Sequence, residues 1–302
     1  MTQRHGTPGL ELGRLYGAVF LLGGAPLFAR VVDLPALDIT ALRAAFGALA
    51  LAGLLVAMRE TVRIGSRRDI VAMSLVGLLM TAHWVAYFHA IQVATVAVAL
   101  IGFFTFPVFT VLLEPLFFRG ARITPGNLAS AGVTITGAVI LVGGPAAGPT
   151  QWAGLGWGVV SAVLLAVRNL AVKRHLGAYG GTAVMFWQLI IVAIVLLPTL
   201  DWSVGPLAVL GGPRDGAALV LLGVVFTAGA HTLFVRSVIA LPPRTVSIVF
   251  CLQPVVGVAL AAVLLGERPS LEAIAGGALI ILVAGYESVR AAAAIPKPTK
   301  SY

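Results

Sequence analysis

Ionised side chains are what this sequence has least of: Asp, Glu, Lys and Arg make up only 10% of its 302 residues, against 59% hydrophobic. A soluble domain of similar length carries about a quarter of its residues charged, so that class is excluded. Cysteine is nearly absent. The single Cys251 cannot form an intrachain disulfide and reads as a small buried residue. Catalytic signatures are missing too. There is no His-Glu-x-x-His, no Gly-x-Ser-x-Gly, no phosphate-cradling glycine loop and no pair of carboxylates. No loop is long enough to build an active site, so an enzyme, including an intramembrane one, is the distant reading. No His, Cys, Asp or Glu cluster has metal-ligand spacing, and neither a metal nor a cofactor is expected.

Long apolar stretches fill the chain instead. Val93–Phe118 and Gly216–Phe234 hold few or no ionised groups, and mean hydropathy is +1.02. About 20 residues at a rise of ~1.5 Å each match the hydrocarbon thickness of a bilayer. The runs are long and lack polar/apolar alternation, which favours helices over barrel strands. Charged, Pro-rich and Gly-rich breaks divide the chain into ten expected spans, at 13–32, 37–58, 70–91, 95–117, 124–143, 152–173, 181–200, 216–236, 244–265 and 271–290. The fold class is therefore all-α integral membrane, with no room for a soluble domain. The first span is long, contains Arg30 and has no clear small-residue cleavage site, so it reads as a retained helix.

An even number of spans puts both termini on one side. Segments on that side carry fourteen basic residues: Arg4, Arg14, Arg59, Arg63, Arg67, Arg68, Arg119, Arg122, Lys173, Arg174, Arg244, Arg290, Lys297 and Lys300. The other side carries Arg214 and Arg268, with Asp33, Asp38, Asp201 and Asp215. This asymmetry predicts cytoplasmic N- and C-termini. The net charge of +9 thus serves orientation and attraction to anionic lipid rather than nucleic-acid binding, for which no recognition fold has room.

The chain also repeats itself. Gly13-Arg14-Leu15-Tyr16-Gly17 recurs as Gly154-Leu155-Gly156-Trp157-Gly158, and Phe103-Phe104-Thr105-Phe106-Pro107-Val108 recurs as Phe250-Cys251-Leu252-Gln253-Pro254-Val255. Two repeats are expected, 1–148 and 149–302. Each holds five spans, an odd number, so the second enters the membrane inverted. Inverted repeats of this kind enclose a midplane site in secondary transporters.

Ten spans in two five-helix repeats, an aromatic-Gly pair early in each repeat and a proline in each fourth helix resemble the drug/metabolite transporter superfamily, EamA family. Leu264-Leu265-Gly266-Glu267-Arg268 followed by Gly276-Gly277 is similar to that family's Gly-Glu-Arg junction, and Arg43 sits where the family often has an arginine. Tyr16 replaces the usual Trp, and Arg119-Gly120-Ala121-Arg122 replaces the junction in the first repeat. The resemblance implies a transporter of the cell inner membrane. Within the family it points to exporters of amino acids, including the YddG type for aromatic ones.

Polar groups inside spans are costly unless they face protein or a watery cavity. In span three, His83 and Tyr87 share a helical face beside Trp84, with His89 beyond. His231 in span eight is the repeat counterpart of Trp84. Phe103, Phe106, Phe250 and Gln253 flank Pro107 and Pro254, which remove a backbone donor in mid-span. The expected substrate-binding set is His83, Trp84, Tyr87, Phe103, Phe106, His231, Phe250 and Gln253, with Pro107, Pro254, Gly17 and Gly158 as hinge or gate. Interhelical bonding, static kinks and small-residue packing are the plain alternatives for the same residues. Gly13/Gly17 and Gly154/Gly158 have the spacing for close helix approach. Trp187 and Gln188 are ambiguous, Asn169 is a weaker cavity residue, and Arg30, Arg43, Arg168 and Arg236 are near enough to helix ends to snorkel or pair.

No Asp or Glu falls at a span centre; Glu114 and Glu267 lie near ends. That disfavours proton coupling through carboxylates and leaves facilitated diffusion or coupling through histidine. The expected function is export of small metabolites, aromatic or large apolar amino acids among them, by alternating access through a central cavity in a functional monomer. A multidrug or nucleobase exporter is the rival, and a receptor or scaffold a third reading. Lipophilic cations would call for a buried negative charge.

Overall fold

The computed structural model describes residues 8–25, 28, 32, 34–60, 62–94, 96–141, 148–200, 212–265 and 270–294. Thirteen α-helices account for most of them. They are α1 (Pro8–Gly24), α2 (Ala36–Ala57), α3 (Arg67–Val93), α4 (Val96–Phe103), α5 (Phe106–Phe117), α6 (Pro125–Leu141), α7 (Pro149–His175), α8 (Gly181–Leu196), α9 (Pro213–Leu221), α10 (Ala230–Ala240), α11 (Pro243–Phe250), α12 (Gln253–Leu265) and α13 (Leu271–Ala294). A π-helical segment, Leu222–Gly229, joins α9 to α10. Taking α4–α5, α9–α10 and α11–α12 each as one rod gives ten rods, one for each expected span. Among the described residues, eight stretches are long and apolar enough to cross a membrane, and α6 is a shorter apolar helix of 17 residues. Ends are set by local chemistry: Ser66 accepts from the Asp69 N–H at the start of α3, and proline occupies the first turn of α7, α9 and α11.

Packing is swapped between the halves. Helix α3 lies on α7, and its counterpart α9–α10 lies on α1; α4–α5 lie on α7, and their counterparts α11–α12 lie on α1. Helix α2 lies on the π segment, matched by α8 on α3. The α2–α8 and α6–α13 pairs are their own counterparts. The two repeats are thus interleaved, and each first helix is clasped by the third and fourth rods of the other repeat.

Small residues make the crossings. A Cβ added at Gly158 would come within 2.7 Å of the Ala99 carbonyl and 3.0 Å of the Gly102 Cα, so α7 and α4 meet backbone to backbone. Gly223 of the π segment meets Arg43 O and Phe46 on α2 in the same way, and its counterpart Gly77 holds the side chain of Ile191. The first Gly-x-x-x-Gly spacing makes no such approach. Gly13 has nothing within 4 Å, and Gly17 meets only Leu233, at 3.8 Å.

The two mid-span prolines turn out to start helices rather than kink them. Pro107 lies in the first turn of α5, after a break at Phe104–Thr105 where the Thr105 N–H donates to Gly102 O at 3.2 Å. Pro254 lies in the first turn of α12, after a break where Cys251 and Leu252 donate to Ile248 O and Val249 O at 3.1 and 3.0 Å. The tight bonds close the turn ahead of each proline, where the chain has no proline N–H to continue an unbroken helix. Residues Arg30, Gly266, Glu267 and Arg268 fall outside the described residues.

Candidate functional site

The breaks place a continuous aromatic surface where the repeats meet. Phe103, the last residue of α4, stacks on His83 (5.5 Å between ring centroids) and tilts against Tyr87 (5.3 Å). Across the interface, Phe250 at the end of α11 stands edge-on to Phe103 (6.1 Å) and Phe106 (5.9 Å), and packs on Phe234 of α10 at 4.7 Å. Trp84 meets the ring of His231 at 5.5 Å. Five of the eight expected binding residues, His83, Tyr87, Phe103, Phe106 and Phe250, therefore form one ring cluster drawn from both halves, and Trp84 with His231 forms a separate ring pair that also spans the halves. Gln253 lies one turn beyond Phe250. Its amide donates to Leu22 O at 3.1 Å, while its Oε1 is buried without a partner.

His83 is tied to α7. Ser161 Oγ donates to the His83 carbonyl at 3.1 Å, and Ser161 Oγ and O lie 2.7 and 3.1 Å from His83 Nδ1. All three contacts are satisfied when Nδ1–H donates to Ser161, which leaves Nε2 as the acceptor. His231 has no such support: its Nδ1 is buried and unpartnered, as are Oγ1 of Thr227 and of Thr232 on the same rod.

Two arginines accompany the rings. Arg43 lies in the half of α2 nearer the face opposite the termini. Its guanidinium sits 4.3 Å over Trp84 and 5.9 Å from Phe88, and its Nε is buried without an acceptor. Arg168 lies nearer the terminal face and is fully buried. Its Nε donates to Gln188 Oε1 and its Nη1 to Asn169 Oδ1, both at 2.7 Å, and Nη2 also donates to Gln188. The expectation that these arginines snorkel or pair near helix ends is corrected for Arg168: partners on its own helix and on α8 hold it in the interior. Arg236 donates to Thr182 Oγ1 at 2.8 Å. Among the described residues, no carboxylate pairs with either central guanidinium.

Toward the terminal face a narrow crevice, with room for about one water molecule, lies between Phe106, Thr110, Asn169, Lys173, Val238 and Val246. Lys173 Nζ closes its floor by donating to Ile239 O and Leu241 O, each at 2.8 Å, and so caps the end of α10. Beyond it, Glu287 on α13 is fully buried between Arg290 (3.5 Å) and Arg244 (3.7 Å), and accepts from Ser130 Oγ at 3.0 Å. Sequence reading missed this carboxylate, which lies near a span end yet is out of solvent. Of the remaining candidates, Trp187 donates to Val62 O at 3.1 Å and fixes the α2–α3 connection. Gly158 is the crossing described above and Gly17 lies in open packing. Among the described residues, no group of three or more His, Cys, Asp or Glu is arranged to hold a metal ion.

Comparison with known proteins places this geometry. The EamA-like transporter family matches the chain twice, at residues 13–143 and at 152–285. An uncharacterized transporter, YxxF, of Bacillus subtilis is 27% identical over 225 residues, covering 73% of this chain and 70% of that protein. A probable terminal-alkyne amino-acid exporter of Streptantibioticus cattleyicolor is 32% identical over 174 residues, covering 57% of each chain. A protein of known crystal structure shares the fold with a TM-score of 0.79 at 22% identity, over 94% of this chain and 98% of that one.

Proposed function

Because the chain belongs to the EamA-like transporter family, we propose that it exports small metabolites, namely amino acids with aromatic or large apolar side chains. The path is a central one between two inverted five-helix repeats that meet near residues 148 and 149. The observation that carries this reading is the ring cluster of His83, Tyr87, Phe103, Phe106 and Phe250, with the Trp84–His231 pair, both drawn from the two halves. Rings drawn from both halves present a surface suited to an apolar side chain, and it changes shape when the halves exchange conformations. The amino-acid exporter among the relatives supports the substrate class. Gln253 Oε1 and His83 Nε2 are acceptors in reach of a polar head, and the half-helix breaks before Pro107 and Pro254 act as hinges. Gly158 anchors the rigid crossing around which they move, with Gly17 the looser counterpart.

The protein resides in the cell inner membrane with both termini cytoplasmic, works as a monomer and performs no covalent chemistry. Counterflow of labelled phenylalanine into proteoliposomes preloaded with unlabelled phenylalanine tests the reading. Saturable exchange that persists without a pH gradient is expected. Exchange of cationic dyes or nucleobases with no exchange of any amino acid would overturn it in favour of the rival exporter classes.

A further inference from the structure

The two central arginines differ in one respect that bears on what the site accepts. Every nitrogen of Arg168 is engaged by Gln188 or Asn169, so its charge is held by neutral amides. Arg43 has no hydrogen-bond partner among the described residues. Its guanidinium carbon lies 4.3 Å over the Trp84 ring, and its Nε is buried and empty. Three more buried polar atoms without partners lie along the rod that packs on α2: Thr227 Oγ1, His231 Nδ1 and Thr232 Oγ1. The Trp84 ring links the two sides, with Arg43 over it and His231 at 5.5 Å.

The backbone is shaped to bring these groups together. Gly223, in the π segment, lets that rod approach the Arg43 carbonyl; a Cβ there would lie 3.0 Å from it. A π turn rotates the side chains that follow it relative to a continuous α-helix, and such turns gather at functional sites. Thr227 lies within it and His231 and Thr232 follow it.

A half-buried guanidinium whose Nε is buried and empty, with no carboxylate paired to it among the described residues, is completed by an anion. A planar carboxylate matches the guanidinium fork with two parallel bonds. An ammonium placed there would meet like charge and lose its hydration without compensation. We propose that Arg43, seated on Trp84 with His231 across that ring, is the anchor for the substrate's carboxylate, and that the transporter selects organic carboxylates and rejects amines of the same shape. This rests on the transport reading above and adds the group that the site recognises.

The test uses labelled phenylalanine counterflow with three competitors: 3-phenylpropionate, which keeps the carboxylate; phenethylamine, which keeps the ammonium; and phenylalanine itself. On the unmodified protein, 3-phenylpropionate is expected to compete at least about 10-fold better than phenethylamine, the scale of one charge-assisted hydrogen bond. Arg43→Gln is expected to raise the half-saturation concentration about 10- to 100-fold. Arg43→Lys, which keeps the charge but loses the fork, is expected to fall between. The competitor series needs no variant, so a folding defect in Arg43→Gln leaves the test intact. Phenylalanine exchange with phenethylamine competing as well as 3-phenylpropionate would overturn the carboxylate anchor alone. Exchange of labelled 3-phenylpropionate without phenylalanine would uphold the anchor and overturn the amino-acid reading. Exchange of neither would overturn both.

Discussion

Arg43 and Arg168 carry the same charge into the same interior and use it differently. Arg168 is locked by two amides, one from a helix that sequence spacing could not bring near it, and so becomes part of the framework. Arg43 keeps its donors free over Trp84. Nothing in the local sequence separates them, because both sit a few residues from a helix end, where snorkelling is an ordinary expectation. Glu287 was hidden for the same reason. It lies near the terminal end of α13, but Ser130, Arg244 and Arg290 enclose it. Glu287→Gln is expected to destabilise the protein by about 1.5–3 kcal/mol, the worth of hydrogen bonds to a charged group. Ser130→Ala is expected to cost about 0.5–1.5 kcal/mol. Thermal unfolding in detergent measures both, and an unchanged melting temperature for Glu287→Gln would show that the two guanidiniums do not depend on it. By contrast, the placement of His83 with Tyr87 and of Trp84 with His231 was legible. Helical spacing put the first two on one face, and the repeat offset put His231 opposite Trp84.

At the scale of elements, span positions were readable because charge and proline interrupt apolar runs wherever the chain leaves the membrane. What happens inside a rod was not. Pro107 and Pro254 announce a disturbance, but whether the helix bends through the proline or stops and restarts before it depends on the preceding turn. The π segment Leu222–Gly229 has no sequence mark at all. Two equal Gly-x-x-x-Gly spacings also diverged. Gly154 and Gly158 bring α7 against α3 and α4, whereas Gly13 and Gly17 leave α1 at ordinary distance. The difference is set by the facing helix, which spacing alone does not contain. A matched pair of variants checks the crossing. Gly158→Ala must push a methyl into the Ala99 carbonyl and is expected to cost about 1–3 kcal/mol of stability. Gly156→Ala, with nothing within 4 Å, is expected to be neutral or to stabilise by up to about 1 kcal/mol through helix propensity. Equal melting temperatures for the two variants would remove the close crossing from the account.

The whole molecule is a pair of five-helix repeats interleaved so that each element packs chiefly on the other repeat. The duplication was visible in two short matched motifs. The interleaving was not, because it is a property of which faces meet. On the proposed alternating-access mechanism, with no large independent half, motion between two packings would move the third and fourth rods of one repeat against the first helix of the other. Opening at one face then accompanies closing at the other. The central claim is that this exchange happens around the aromatic cluster, and reciprocal accessibility tests it most directly. In a Cys251→Ser background, a cysteine replaces either Val246, in the terminal-face crevice, or Phe226, which packs on Phe28 at 4.8 Å toward the opposite face. Each variant is labelled with a water-soluble maleimide, with and without phenylalanine. Phenylalanine is expected to change the two labelling rates in opposite directions. Rates that rise or fall together, or that do not respond, would contradict alternating access about this site.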